Sequence, residues 1–191
     1  MRVTGGMVKG HRLIQVKGPR IRPTADMVRN SIFNILGQKL TGLAVLDLFA
    51  GTGSLGIESL SRGATGAVFM DNSRQAVAII KKNLAICGLE RVSVVMREEL
   101  PKGLTKIRNI AYGQFDLVFV DPPYGKGYIE PTIHKLVEGN LLTQDAMVVV
   151  ESSTSASDPL PSNIPHLRLQ HTRSYGSTVI GFYSSHGGVI T

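Results

Sequence analysis

The chain has 191 residues, 42% of them hydrophobic, which predicts one domain with a single sizeable core. Lys and Arg number 21 against 14 Asp and Glu, and the net charge of +7 favours a polyanionic partner. The single cysteine, Cys87, excludes an internal disulfide, and the five histidines lack metal-ligand spacing, so we expect no metal site. No apolar run approaches the roughly 18 residues of a membrane span, and we expect a cytoplasmic protein.

The first 39 residues predict a hairpin followed by a helix. Glycines at positions 5, 6 and 10 place turn signals in the segment "RVTGGMVKGHRLIQV". Thr24 is suited to cap a helix in which apolar residues recur from Met27 to Leu36.

From residue 40 onwards, strands and helices alternate. Apolar runs predict strands at 44–49, 67–71, 92–96, 115–120 and 146–152, and helices lie at "SLGIESLSR", "SRQAVAIIKKNLAICG" and "YIEPTIHKLVE". This pattern indicates a parallel sheet covered on both faces. After a surface loop, "SSTSASDPLPSNIP", an alternating segment around Tyr175-Gly176 predicts an antiparallel hairpin. We therefore expect an α/β, doubly wound Rossmann-like fold, with residues 1–39 as an N-terminal extension and 40–191 as the core.

A glycine motif follows the first predicted strand of the core. Gly51, Gly53 and Gly56 match G-x-G-x-x-G, and Asp71 ends the next strand, where an acid can accept from ribose hydroxyls. The pattern fits a dinucleotide site, an S-adenosylmethionine site, or a tight turn without a ligand. Asp47 favours S-adenosylmethionine, because an acid in the strand would attract a cationic methionyl group and repel a pyrophosphate.

Two other residues complete the predicted cofactor site. Phe49 ends the strand that leads into the glycine loop. Glu98 lies just beyond the third strand, where it could accept from an adenine amino group or simply open the next helix as a solvated acid.

The sequence "FVDPPYGKG" ends the fourth strand with an acid, two prolines and an aromatic residue. Each proline pushes the residue before it into extended geometry, so Asp121 and Pro122 present their carbonyl groups in fixed directions. Together they could accept both hydrogens of a planar exocyclic amine, and Tyr124 could stack on the base that carries it. A stiff turn is the alternative interpretation of Pro122 and Pro123. Because stacking needs only the ring, we expect the Tyr124 hydroxyl to be dispensable.

The chain as a whole resembles the bacterial small-subunit (16S) ribosomal RNA guanine-N2 methyltransferases, which are class I S-adenosylmethionine-dependent enzymes. The resemblance rests on "RVTGGMVKGHRL", "RPTADMVRNSIFNIL", "LDLFAGTGSLGIESLSRGA", "FVDPPYGKG", "VVVES" and "SYGST" in that order. It implies methylation of the 2-amino group of one guanine, with the glycine loop and Asp71 on the cofactor and Asp121 to Tyr124 at the target amine. Glu98 and Asn30 depart from the family, which often has aspartate and commonly glutamate at these positions.

Residues 1–39 carry a formal charge equal to the excess of the whole chain. They contain eight basic residues and one acid, Asp26; the basic residues are Arg2, Lys9, Arg12, Lys17, Arg20, Arg22, Arg29 and Lys39. This segment could hold RNA phosphates or be a solvated face. Arg20, Arg22 and Arg29 are the preferred contacts, because "RPT" is part of the resemblance.

Several functions are compatible with these motifs. The resemblance implies an enzyme that acts on ribosomal RNA or on the small ribosomal subunit or its assembly intermediate, and we expect a monomer. An adenine-N6 methyltransferase acting on DNA or RNA is the nearest alternative, because the Asp121–Tyr124 motif suits either amine. A nicotinamide-dinucleotide-dependent oxidoreductase is favoured by the glycine pattern alone, and the intact motif argues against a non-catalytic RNA-binding module.

Overall fold

Two units make up the chain, Met1–Arg97 and Glu98–Thr191. The computed structural model describes residues 1–15, 23–110, 113–155 and 159–185. The expected single domain, with its boundary after residue 39, stays a prediction.

The first unit begins with the predicted hairpin. Arg2 and Arg12 form an antiparallel bridge, and the backbone N–H of Gly10 donates to the carbonyl of Val3 at 2.8 Å. Helix α1 spans Pro23–Leu36, so Thr24 lies inside its first turn and the predicted cap is wrong. Proline is well suited to start a helix, because its fixed φ is helical and the first turn needs no N–H partner.

The remainder of the first unit alternates strands and helices as predicted. Its elements are β1 (Ala44–Leu48), α2 (Ser54–Ser61), β2 (Gly66–Asp71), α3 (Arg74–Cys87), a short 3₁₀ helix (Glu90–Val92) and β3 (Ser93–Arg97). The strands are parallel in the order β3-β2-β1, with Val68 opposite both Leu46 and Val94. Their apolar runs are almost fully buried in β1 and β2, which is why no polar alternation appears in the sequence.

The second unit contains both parallel and antiparallel pairs. Its elements are a 3₁₀ helix (Lys102–Asn109), β4 (Phe115–Val120), α4 (Ile129–Glu138), β5 (Leu142–Ser153), β6 (Leu167–Tyr175) and β7 (Thr178–Ser185). Strand β4 is parallel to β5, and β7 is antiparallel to both β5 and β6. The hairpin about Tyr175-Gly176 is therefore confirmed.

The expected α/β fold with a mostly parallel core and a C-terminal hairpin is confirmed. Parallel strands align their carboxyl ends, so β1 and β2 end together in the first unit, and β4 and β5 do so in the second. The candidate site residues follow these ends. None of the helices in the described part of the chain is long and apolar enough to cross a membrane.

Candidate active site

The loop between β1 and α2 carries the glycine motif and has an unusual backbone. Phe49, Gly51 and Gly53 all have positive φ, at 57°, 56° and 76°. This conformation suits glycine and is uncommon for phenylalanine, so the position of Phe49 is strained. Backbone strain of this kind clusters at ligand sites, although a tight turn alone also uses glycines here.

The three glycines have different structural roles. A Cβ atom on Gly56 would lie 2.3 Å from Cε1 of Phe69, so this glycine lets α2 pack closely on β2. A Cβ atom on Gly53 would touch Ile80 and Phe69 at 3.3 Å. A Cβ atom on Gly51 would, apart from its chain neighbours, have only the carbonyl oxygen of Phe49 within 4 Å among the described residues. Gly51 therefore leaves room for a ligand to approach the backbone of the loop, whereas Gly53 and Gly56 are needed for packing inside the protein.

Asp71 connects the glycine loop to helix α3. Its Oδ2 accepts from the backbone N–H of Gly51 at 2.9 Å, and its Oδ1 accepts from that of Ser73 at 2.8 Å. The carboxylate is half-buried at the end of β2. A carboxylate offers about four acceptor positions, so these two bonds leave capacity for ribose hydroxyls.

Asp47 is buried in β1, with 2% of its surface exposed. Its Oδ2 accepts from the backbone N–H of Gly56 at 2.9 Å in the first turn of α2. Burial raises the pKa of Asp47 to about 7, a shift that the bond to Gly56 opposes and the nearby Asp71 carboxylate increases. The structure thus gives Asp47 a role in fixing α2.

Asn83 also supports the loop and was missed by the sequence analysis. It is fully buried in α3, and its Nδ2 donates to the carbonyls of Thr52 and Ile14 at 2.9 Å and 3.1 Å. Its Oδ1 accepts from the backbone N–H of Ile14 at 2.7 Å. One amide therefore ties the glycine loop to the N-terminal segment, and no local motif marks this asparagine.

Glu98 lies one residue beyond β3 and is paired with a lysine. Its two oxygens accept from Nζ of Lys106 at 2.8 Å and 2.7 Å. The Lys106 side chain is 61% exposed, so the pair is worth little to stability and can rearrange. The adenine contact of Glu98 stays a prediction.

The Asp121–Tyr124 motif begins directly after β4. Asp121 is half-buried, Pro122 is buried and Pro123 is exposed. The following turn contains Gly125 and Gly127 with φ of 69° and 65°, and α4 begins at Ile129. Two consecutive prolines and two turn glycines confine Tyr124 to a short irregular segment between a strand and a helix.

The hydroxyl of Tyr124 has two partners on other strands. It donates to Oε1 of Glu151 on β5 at 2.5 Å, and it lies 3.2 Å from Oγ1 of Thr178 on β7. Burial and the bond to Glu151 raise the pKa of Tyr124 above its ordinary value, with a smaller contribution from Asp121. The sequence analysis missed both partners, which lie 27 and 54 residues from Tyr124.

Of the three arginines predicted to contact phosphates, the structure describes the side chain of Arg29 alone. Arg29 is 3% exposed, donates to the carbonyl of Arg2 at 2.8 Å and lies 3.8 Å from Oε2 of Glu58. This burial places Arg29 in the packing of the N-terminal hairpin, so the expected phosphate contact is wrong for it. Arg20 and Arg22 lie outside the described residues. Among the described residues of the extension, Arg2, Lys9, Arg12 and Lys39 are the exposed basic ones.

The described residues include no candidate metal site. They contain no group of three or more His, Cys, Asp or Glu residues that could hold an ion.

Comparison with known proteins identifies relatives along most of the chain. Residues 1–184 match the family model described as "Conserved hypothetical protein 95". Ribosomal RNA small subunit methyltransferase D of Escherichia coli (strain K12) is 34% identical over 168 residues, covering 85% of this chain and 80% of the relative. The protein of that name from Haemophilus influenzae is 33% identical over 165 residues, covering 85% and 84%.

Solved structures agree with the fold. A conserved hypothetical protein of Streptococcus pyogenes is 37% identical, with a TM-score of 0.76, and the match covers 84% of this chain and 97% of that one. The structure of SMU.776, complexed with SAH, has 13% identity and a TM-score of 0.66, covers 86% of this chain and 50% of that one, and shows the fold alone.

Proposed function

Because the chain belongs to the "Conserved hypothetical protein 95" family and its relatives include ribosomal RNA small subunit methyltransferase D, we propose that it is an S-adenosylmethionine-dependent ribosomal RNA methyltransferase. We propose further that it methylates the 2-amino group of a guanine in small-subunit ribosomal RNA. The observation that carries the proposal is the Asp121–Tyr124 motif at the carboxyl end of β4.

The residues of the first unit fit S-adenosylmethionine. Gly51 leaves open space beside the loop, and Asp71 offers acceptors for the two vicinal ribose hydroxyls. Asp47, when ionised, would favour a cationic ligand, and Phe49 would border the nucleoside. Glu98, the first residue of the second unit, stays a predicted acceptor for the adenine amino group. When bound, S-adenosylmethionine supplies an electrophilic methyl group on a sulfonium.

The residues of the second unit fit an exocyclic amine. The Asp121 side chain and the Pro122 carbonyl would accept its two N–H groups, and Pro123 holds Pro122 extended. Stacking on Tyr124, worth about 1–3 kcal/mol, would offset much of the cost of removing a base from its stack. Orientation of the nitrogen is the main contribution, and no strong base is needed because the nitrogen becomes acidic as it gains positive charge.

The RNA would be held chiefly through its phosphates. Lys9 and Arg12 are exposed on the N-terminal hairpin, and Arg20 and Arg22 remain proposed contacts from the sequence. Free ribosomal RNA and an assembling small subunit are both substrates compatible with this proposal, and a monomeric, cytoplasmic enzyme is expected.

The test is mass spectrometry of nucleosides from small-subunit ribosomal RNA, isolated from cells with and without the gene. We expect one N2-methylguanosine to be lost and to be restored by the wild-type chain. N6-methyladenosine in its place would support the adenine alternative, and unchanged nucleosides would contradict both.

A variant test addresses the motif directly. Asp121→Ala should keep the fold and much of the RNA affinity while the single-turnover rate of methylation falls by orders of magnitude, because the hydrogen bond it removes acts on the reacting nitrogen. Asp145→Ala is the matched control, since Asp145 is an exposed acid in the same unit. A near wild-type rate for Asp121→Ala would restore the interpretation of the prolines as a stiff turn.

A further inference from the structure

The contacts of the Tyr124 hydroxyl are unnecessary for stacking, which uses only the ring. A phenylalanine would offer the same ring without burying a polar group. Yet the hydroxyl donates to Glu151 at 2.5 Å and lies 3.2 Å from Thr178, in a half-buried environment. We therefore expect a role in the site for the hydroxyl of Tyr124, and not only for its ring.

The two partners of the Tyr124 hydroxyl lie in a regular antiparallel ladder of the second unit. Glu151 lies opposite Ile180, and Thr178 lies opposite Ser153, in the antiparallel ladder of β5 and β7. Thr178 is only 3% exposed, and the backbone N–H of Thr154 donates to the carbonyl of Ser177 at 3.0 Å just beyond the ladder. The ladder thus fixes the acceptor and the hydroxyl that face Tyr124.

Tyr124 itself lies in an irregular segment. It follows two prolines and precedes Gly125 and Gly127, both of which have positive φ. Its Cα end is therefore held by a loop, and the far end of its ring is held by the sheet. A side chain held at both ends loses little conformational freedom when a base stacks on it.

We propose that Glu151 and Thr178 are positioning residues that hold the ring of Tyr124 in the orientation needed to receive the target base. This role rests on the proposed function and adds residues that lie outside the Asp121–Tyr124 motif. The Tyr124 hydroxyl is then not dispensable, in contrast to the expectation from the sequence. Its removal slows methyl transfer because the stacked base is less well oriented toward its acceptors.

The first experiment is a double-mutant cycle in single-turnover methylation with saturating RNA and S-adenosylmethionine. Tyr124→Phe and Glu151→Leu should each slow methylation about tenfold, and the double variant should also be about tenfold slower, since either change removes the same bond. RNA affinity should change less than about threefold. A double variant about a hundredfold slower, or single variants at the wild-type rate, would overturn the proposal.

Conservative replacements separate positioning from general damage to the fold. Glu151→Gln keeps an acceptor oxygen and should retain a rate within about threefold of wild type, and Thr178→Val should have a smaller effect than Glu151→Leu. Glu99→Leu is the control, because Glu99 is an exposed acid in the same unit. Equal losses in Glu151→Gln and Glu151→Leu at unchanged melting temperature would contradict a role through the hydrogen bond.

A second measurement does not depend on activity. In an alkaline ultraviolet titration of the tyrosines, Glu151→Gln should let one tyrosine ionise at lower pH than in the wild-type chain. The change should vanish in the Tyr124→Phe background. If the titration behaves so and no methylation is found, the proposed function fails while the hydrogen bond stands; if methylation is found and the titration is unchanged, the positioning role fails.

Discussion

Asp47 is an acid in the interior of β1, and its burial makes the stability of the fold depend on pH. Its pKa of about 7, against an ordinary value of 3.8, means that the folded chain holds this proton more tightly than the unfolded chain does. Between these two values the folded state binds more protons, so stability from this group is present at low pH and is lost as the pH rises. Strongly raised pKa values of this kind are typical of functional sites, and buried structural groups show them as well.

We predict that Asp47→Asn removes this dependence. The asparagine can still accept from the N–H of Gly56 but does not titrate. The free energy of unfolding of the variant, relative to wild type, should therefore rise between pH 4 and pH 7, by up to about 1.4 kcal/mol per pH unit. Urea unfolding at several pH values measures the difference, with Asp145→Asn as an exposed control. Parallel pH profiles for wild type and Asp47→Asn would contradict the prediction.

Individual residues of the candidate site could be predicted to different degrees. The glycines, Asp71 and the Asp121–Tyr124 motif lie in short patterns, so their places at strand ends followed from the sequence. Glu151 and Thr178 could not be found in this way, because β-pairing brings them to Tyr124 from distant parts of the chain. Arg29 was chosen because it lies near the "RPT" part of the resemblance, and a resemblance does not show that its side chain is buried beside Glu58.

At the scale of elements, the N-terminal hairpin is attached to α2 through a buried acid, Glu58, and through Ser61, whose carbonyl accepts from the backbone N–H of Met7 at 2.7 Å. Glu58 is 1% exposed, and it accepts from the backbone N–H groups of Thr4 and Gly5 at 2.8 Å and 2.7 Å. It also accepts from Nε of Arg62 at 2.9 Å. These hydrogen bonds replace the water that the buried carboxylate has lost, and they hold the hairpin on the helix that follows the glycine loop.

We predict that Glu58→Gln destabilises the chain by about 3–5 kcal/mol, because two buried arginines lose their carboxylate and amide hydrogens face backbone donors. Chemical denaturation followed by circular dichroism gives the difference. Glu90→Gln, an exposed acid in the same unit, should change stability by less than about 0.5 kcal/mol. A loss below about 1 kcal/mol in Glu58→Gln would show that the hairpin is held by other contacts.

The elements predicted most accurately are the strands in which an unbroken apolar run is also buried. Strands β1, β2 and β4 are apolar runs, and their bounds were found to within one residue. Strand β5 begins at Leu142, four residues before the predicted start, because Thr143, Gln144 and Asp145 are polar and the β4–β5 register is irregular there. The 3₁₀ helix at Lys102–Asn109 was not predicted, although Leu104 and Ile107 are buried at the three-residue spacing of such a helix.

For the molecule as a whole, the distribution of charge is more informative than the net value. Residues 1–97 contain 14 Lys and Arg against 5 Asp and Glu, a net charge of +9, whereas residues 98–191 contain 7 against 9, a net charge of −2. Two of the acids in the first unit, Asp47 and Glu58, are buried. Two arginines, Arg29 and Arg62, are buried as well, so the surface of the first unit keeps its formal excess of positive charge, and we expect most RNA phosphates to bind there.

We predict that replacing Lys9 and Arg12 by glutamine weakens RNA binding and flattens its dependence on salt. Both side chains are exposed on the hairpin that Glu58 holds in place. Removing one phosphate contact should reduce the slope of log K against log salt by about 0.7–0.9, so the slope should fall by roughly 1.5 in the double variant. The matched control replaces Lys102 and Lys135, two exposed lysines of the second unit, and removes the same charge. Fluorescence anisotropy with a small-subunit ribosomal RNA fragment at several salt concentrations measures both slopes. Equal reductions in the two double variants would mean that binding follows net charge, and the hairpin would have no particular contact with RNA.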